Sequence, residues 1–144
     1  MISEDEHRSF VNWDEINSMP ALSSDGKDSR ISFGSHTVNH SILTNEKTNV
    51  VENEICKSKE IIEKETGRNA LHFCYPNGNY NDSMKKIVSK SYKSACTTKS
   101  GFVSESSDVY ALNRIGINEE MITDWRGNFS KYVFIYSIFV ESIK

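Results

Sequence analysis

The chain has 144 residues, 37% of them hydrophobic, and a net charge of −3 at pH 7, with a pI of about 5.8 and a mean hydropathy of −0.53. That length can bury the core of one domain, and the mild acidity excludes the basic stripe of a nucleic-acid or anionic-membrane binder. Cys56, Cys74 and Cys96 are odd in number and widely spaced, which argues for free thiols and against a disulfide framework or a cysteine zinc site.

Residues 1–11 read as a charged leader and 12–144 as a single domain. No apolar run follows a basic start within residues 1–30, so no signal peptide is expected. The run Tyr132–Val140 is too short to span a bilayer, and the expectation is a soluble, cytoplasmic chain. Asn12 and Glu15 have the form of a capping pair for a short helix carrying Trp13 and Ile16,. Residues 23–29 are all turn formers,, and a short strand follows at Ile31–Phe33. Thr44 or Asn45 is the expected cap of a long helix to Thr66, with Val51, Ile55, Ser58 and Ile62 on the core stripe. Glu52, Lys59, Glu63 and Lys64 read as its solvated face, and Gly67 as its stop,. Leu71–Tyr75, Ala95–Thr98 and Leu112–Ile117 are candidate strands; Asp82 is the expected cap of an intervening helix with Met84, Ile87, Val88 and Tyr92 inward. Strands alternating with helices predict parallel α/β units. Phe129, Tyr132, Val133, Tyr136, Phe139, Val140 and Ile143 suit one amphipathic helix packed on the rest.

Three stretches carry the chemistry. In Gly34-Ser35-His36-Thr37-Val38-Asn39-His40 two histidines stand four positions apart, and on a helical turn both imidazoles would face one ion. Neutral imidazole is a common ligand of zinc and similar divalent ions, although a bare pair at this spacing is more often a solvated helix face. Phe73-Cys74-Tyr75-Pro76-Asn77-Gly78 ends a strand in a Pro/Gly turn, and Leu112-Asn113-Arg114-Ile115-Gly116-Ile117 closes the third stretch. In this order they resemble the polysaccharide deacetylases of the NodB-homology type, carbohydrate esterase family four, over roughly Trp13–Ile117.

The resemblance implies a partial, distorted (β/α) barrel and hydrolysis of the acetamide C–N bond of an N-acetylated poly- or oligosaccharide. It implies His36 and His40 as ligands of a divalent metal, commonly zinc, which polarises the acetamide carbonyl. Tyr75, Pro76, Asn77 and Gly78 would line the substrate groove, with the Asn77 N–H offered to the developing oxyanion,. Asn77 stands where many relatives have tyrosine, and Cys74 where some have an arginine that tethers a catalytic aspartate. Arg114 would partner carboxylates in the barrel mouth or, equally, be a solvated arginine. Thr37 would orient a ligand or serve as an ordinary cap. His7 and His72 match no family position.

Adjacent aspartates, which in the family supply the third metal ligand and the general base, do not occur in the 144 residues, and Asp5 and Asp14 follow no apolar strand. The leucine-x-histidine that supplies the general acid is also missing, with Asn118 near its place and Asp124-Trp125 a faint echo of another motif. The reading is therefore a C-terminal portion of a deacetylase, inactive or weak by itself and inclined to self-associate through an exposed strand edge near Ile31. The alternative is a non-catalytic module that binds glycan or metal.

Overall fold

Local capping chemistry sets the start of two helices and the end of a third. The computed structural model describes residues 11–19 and 31–141; the expected leader and the turn-rich link at 23–29 lie outside them, apart from Val11. Helix α1 (Trp13–Ser18) opens with a reciprocal capping box: the Asn12 side chain accepts from the Glu15 N–H at 2.9 Å, and the Glu15 carboxylate accepts from the Asn12 N–H at 2.7 Å,.

Helix α2 (Thr48–Thr66) starts later than the expected caps Thr44 and Asn45, which lie in a separate 3₁₀ turn, Leu43–Asn45. Leu43 is fully buried, and anchoring it fixes that turn before the chain can enter the helix. Gly67 ends α2 at φ +65°, a left-handed stop. Lys59 and Glu63 depart from a purely solvated face. Lys59 Nζ donates to the Ala70 carbonyl at 2.6 Å, and Glu63 accepts from the Ala70 N–H at 3.0 Å, so the pair ties the end of α2 to the entry of the next strand. Helix α3 (Asp82–Ser91) is capped by Asn81, whose side chain accepts from the Met84 N–H at 3.1 Å. Asp82 becomes a first-turn acid, where its charge complements the helix dipole.

Strands β1 (His72–Cys74) and β2 (Ser94–Cys96) pair in parallel, Cys74 opposite Cys96. Ser35 bridges Phe73 on one side of the pair and Leu112 bridges Cys96 on the other, both in parallel. Four successive segments thus run the same way, with α2 crossing between the first two and α3 between the next two. This is a run of βα units, a partial, distorted (β/α) barrel whose sheet does not close among the described residues. The expected strand at Ile31–Phe33 meets β1 slightly later, at Ser35, and the one at Leu112–Ile117 meets β2 at Leu112.

The core forms where the two crossover helices cover the sheet. Val51 and Ile55 of α2, Met84, Ile87 and Val88 of α3, and Phe73, Tyr75, Tyr92 and Ala95 make one cluster with Leu43. Burying each large aliphatic or aromatic side chain is worth about 1.5–3 kcal/mol. Ile62 is only partly buried. Within the core, Tyr92 Oη donates to the Ile55 carbonyl at 2.8 Å, and the Ser35 and Ser58 hydroxyls meet at 2.5 Å,.

Helix α4 (Lys131–Glu141) is not packed as the sequence suggested. Its nearest neighbour is the 3₁₀ turn Glu119–Met121, while Tyr132 is 75% and Tyr136 71% exposed. The segment is apolar around its circumference, so no single stripe directs one face inward. No helix among the described residues is long and apolar enough to cross a membrane.

Candidate metal and substrate site

The histidine segment is placed by the sheet edge. Ser35 donates its N–H to the His72 carbonyl at 2.8 Å and accepts from the Cys74 N–H at 2.8 Å. A Cβ on Gly34 would come within 2.9 Å of the His72 carbonyl oxygen, so only glycine allows this approach. His36 is the first residue past the paired strand end, and its Nδ1 lies 2.8 Å from the Cys74 carbonyl oxygen. A carbonyl only accepts, so Nδ1 carries a proton, and in the neutral tautomer Nε2 is the nitrogen left with a lone pair. The His40 ring stands edge-on to that of His36, centroids 4.8 Å apart at 72°, and both residues are exposed.

The expected helical turn is not what joins them. Residues 36–40 form no helix; Thr37 and His40 take left-handed backbones, φ +69° and +55°. What the loop meets instead is Glu54 of α2, a residue outside the sequence motifs. Its Oε2 accepts from the Val38 and Asn39 N–H groups at 2.8 and 2.9 Å, and its Oε1 from Asn39 Nδ2 at 2.6 Å. The left-handed backbone at Thr37, just before these amides, is incompatible with a right-handed helical turn,. Burial alone would raise the Glu54 pKa, but the bonds from Asn39 and Val38 outweigh it and hold the carboxyl below its ordinary range. The Thr37 hydroxyl also faces this carboxylate and helps lower its pKa; it falls short of hydrogen-bond geometry and is buried without a partner. A signal did exist: Val51, Glu54, Ile55 and Ser58 fall at i, i+3, i+4 and i+7, which puts Glu54 on the buried stripe.

The proline turn forms the facing wall. Tyr75 is buried, its hydroxyl donates to the Tyr110 carbonyl at 3.0 Å, and its ring stacks on Tyr80; burial pushes the phenol pKa up. Pro76 is buried. Asn77 is exposed, with φ +55°. Gly78 N–H donates to the Tyr75 carbonyl at 2.8 Å and Asn79 N–H to the Pro76 carbonyl at 3.2 Å, so neither bond that closes the turn uses the Asn77 N–H. Thr98 Oγ1 braces the turn by donating to the Asn77 carbonyl at 3.1 Å. Burial pushes the Cys74 thiol up, the neighbouring Cys96 adds to this, and the Arg114 charge opposes it.

A cavity of about 420 Å³ has His36, His40, Cys74, Asn77, Thr98 and Arg114 among its lining residues. All belong to segments leaving the C-terminal ends of the parallel strands, where (β/α) barrels carry their chemistry. Tyr75 reaches this cavity, whereas Pro76 and Gly78 stand outside its lining. Another cavity, about 450 Å³ between Phe33, Arg68 and His72, is lined at the strands' opposite ends and lacks both site histidines. Asp14, Asp82 and Asp124 line neither; Asp124 accepts from the Arg126 and Asn128 N–H groups, and Asn118 caps the Glu119–Met121 turn. Two exposed imidazoles, one with its tautomer set by a carbonyl, fit two ligands of a zinc-like ion. Among the described residues no third His, Cys, Asp or Glu is grouped with them to hold one.

A parallel βα arc with its exposed polar groups gathered beyond the C-terminal strand ends defines a (β/α)-barrel protein. A family model described as polysaccharide deacetylase matches residues 7–93, and the chain belongs to that family. The Bacillus subtilis protein YxkH, which carries a polysaccharide deacetylase name, is 29% identical over 92 residues, covering 63% of this chain and 33% of its own. Among solved structures, the Streptococcus pyogenes deacetylase PplD in complex with acetate is 26% identical with a TM-score of 0.73, covering 94% of this chain and 54% of its own. A polysaccharide deacetylase from Bacillus cereus is 28% identical with a TM-score of 0.60, covering 74% and 32% respectively. The chain therefore spans about a third to a half of the length of these relatives.

Proposed function

We propose that the chain supplies the histidine and oxyanion side of a metal-dependent site that hydrolyses the acetamide C–N bond of N-acetylated poly- or oligosaccharides. The observation that carries this is the convergence of His36, His40, Asn77 and Arg114 on one cavity in a chain of the polysaccharide deacetylase family. His36 and His40 would hold a divalent ion, commonly zinc in the family, which supplies Lewis-acid polarisation of the acetamide carbonyl. The Cys74 carbonyl keeps the His36 ring oriented. The Asn77 N–H donates to the oxygen on which negative charge develops, a contact typically worth two or three powers of ten in rate. Arg114 adds positive charge at the mouth. Acetate, present with PplD, would be the acid product.

No adjacent aspartates occur in the 144 residues, and a positioned base is worth about a hundred- to ten-thousand-fold. These residues by themselves are therefore expected to bind metal and turn over little. The experiment is a cobalt titration followed by visible absorption, with acetate release from N-acetylglucosamine oligomers measured in parallel on wild type and His36→Ala. Saturable cobalt binding lost in the variant, with acetate release near background in both, is the expected result. Equal cobalt binding by both proteins refutes the metal site, and turnover by wild type alone refutes the missing base.

A further inference from the structure

We propose that Glu54 is the positioning residue of the histidine pair: from α2 its carboxylate holds residues 37–40 in the path that brings His40 against His36. The functional consequence rests on the metal reading above, while the positioning itself is a property of the metal-free chain. Glu54 is 3% exposed, and a carboxylate is rarely buried unless fully paired. Its partners are N–H groups of the histidine loop: two successive main-chain amides on one oxygen and the Asn39 side chain on the other. Thr37 and His40, on either side of those amides, are both left-handed. For a β-branched threonine that conformation is rare and persists only where the surroundings impose it. Glu54 lies opposite the turn and is bound to the two residues between the strained ones, so it supplies that constraint. Its hydrogen bonds go to the backbone and to Asn39 between the imidazoles, and it acts through them, as outer-shell groups around metal-binding histidines commonly do.

The test compares wild type with Glu54→Met, which keeps the length and approximate volume of the side chain but removes both acceptor oxygens. In the metal-free proteins, NMR reads three things: the cross-relaxation between the two imidazole rings, the downfield shift of the Val38 and Asn39 amide protons, and their exchange rates. The variant is expected to lose the ring contact, move both amides upfield and bind cobalt about 10–100-fold more weakly. Retention of the ring contact and the amide shifts in a folded Glu54→Met overturns the proposal. Should that variant not fold, wild type decides: amide exchange at Val38 and Asn39 slowed relative to other exposed turn amides supports the clamp, and exchange at the unprotected rate overturns it. If wild type binds no cobalt, the metal reading fails, and the ring contact still decides the role of Glu54.

Discussion

Gly78→Ala tests how the Tyr75–Gly78 turn is built, with Gly67→Ala as its internal control. Both glycines are left-handed, φ +73° and +65°, so alanine costs about 1–2 kcal/mol of backbone strain at either site. They differ in what the new methyl would meet. At Gly67 nothing lies within 4 Å; at Gly78 the methyl would fall 2.5 Å from the Thr98 backbone nitrogen and against its hydroxyl. A backbone atom cannot rotate away, so the turn itself must shift, and overpacking of this kind costs about 1–3 kcal/mol more. Gly67→Ala is thus expected to lose about 1–2 kcal/mol and Gly78→Ala about 2–5 kcal/mol. The shift also pulls the Asn77 carbonyl from Thr98 Oγ1, a bond of 3.1 Å, and moves the Asn77 N–H. Urea unfolding of the three proteins measures the difference, with an unchanged m-value certifying comparable transitions. Equal losses in the two variants would refute the close packing of the turn on Thr98.

Acid sensitivity should be pronounced. Glu54 is held low by the Asn39 and Val38 bonds against its burial, Glu63 by Lys59 and the Ala70 N–H, and Asp108 by Lys85 and the Tyr110 N–H. A depressed carboxyl pKa contributes stability that is present above the unfolded value of about 4 and is lost as pH falls through the folded one. Asp108 is half exposed and adds little. Urea midpoints are expected to fall between about pH 5 and about pH 3, and a flat profile there would count against these contacts. The polypeptide of these 144 residues is also expected to associate, because Trp125, Phe129, Tyr132 and Tyr136 are each more than two-thirds exposed and such patches drive contact. Light scattering should exceed the 16.4 kDa monomer, and a stable monomer at every concentration would contradict this.

Periodicity and capping were enough to predict the βα order, the α2 and α3 core faces, and the α1 box, because these depend on neighbours within a few residues. Asn12, Gly67, Met84 and Val88 act where their spacing places them. The motifs around His36, Asn77 and Arg114 were also visible, since each follows directly from a strand end. What brings them to one cavity is the parallel register of Ser35, β1, β2 and Leu112, a relation between residues tens of positions apart. Tertiary contact likewise overrode the local expectation for the histidines. A four-residue spacing implied a helical face, yet a carboxylate from α2 captures the intervening amides and bends the loop left-handed. Tyr75 followed the same rule: its place in the turn was legible, but the direction of its hydroxyl was decided by the Tyr110 carbonyl. Local sequence sets which elements form and where they end, while buried polar groups must find partners wherever the fold offers them.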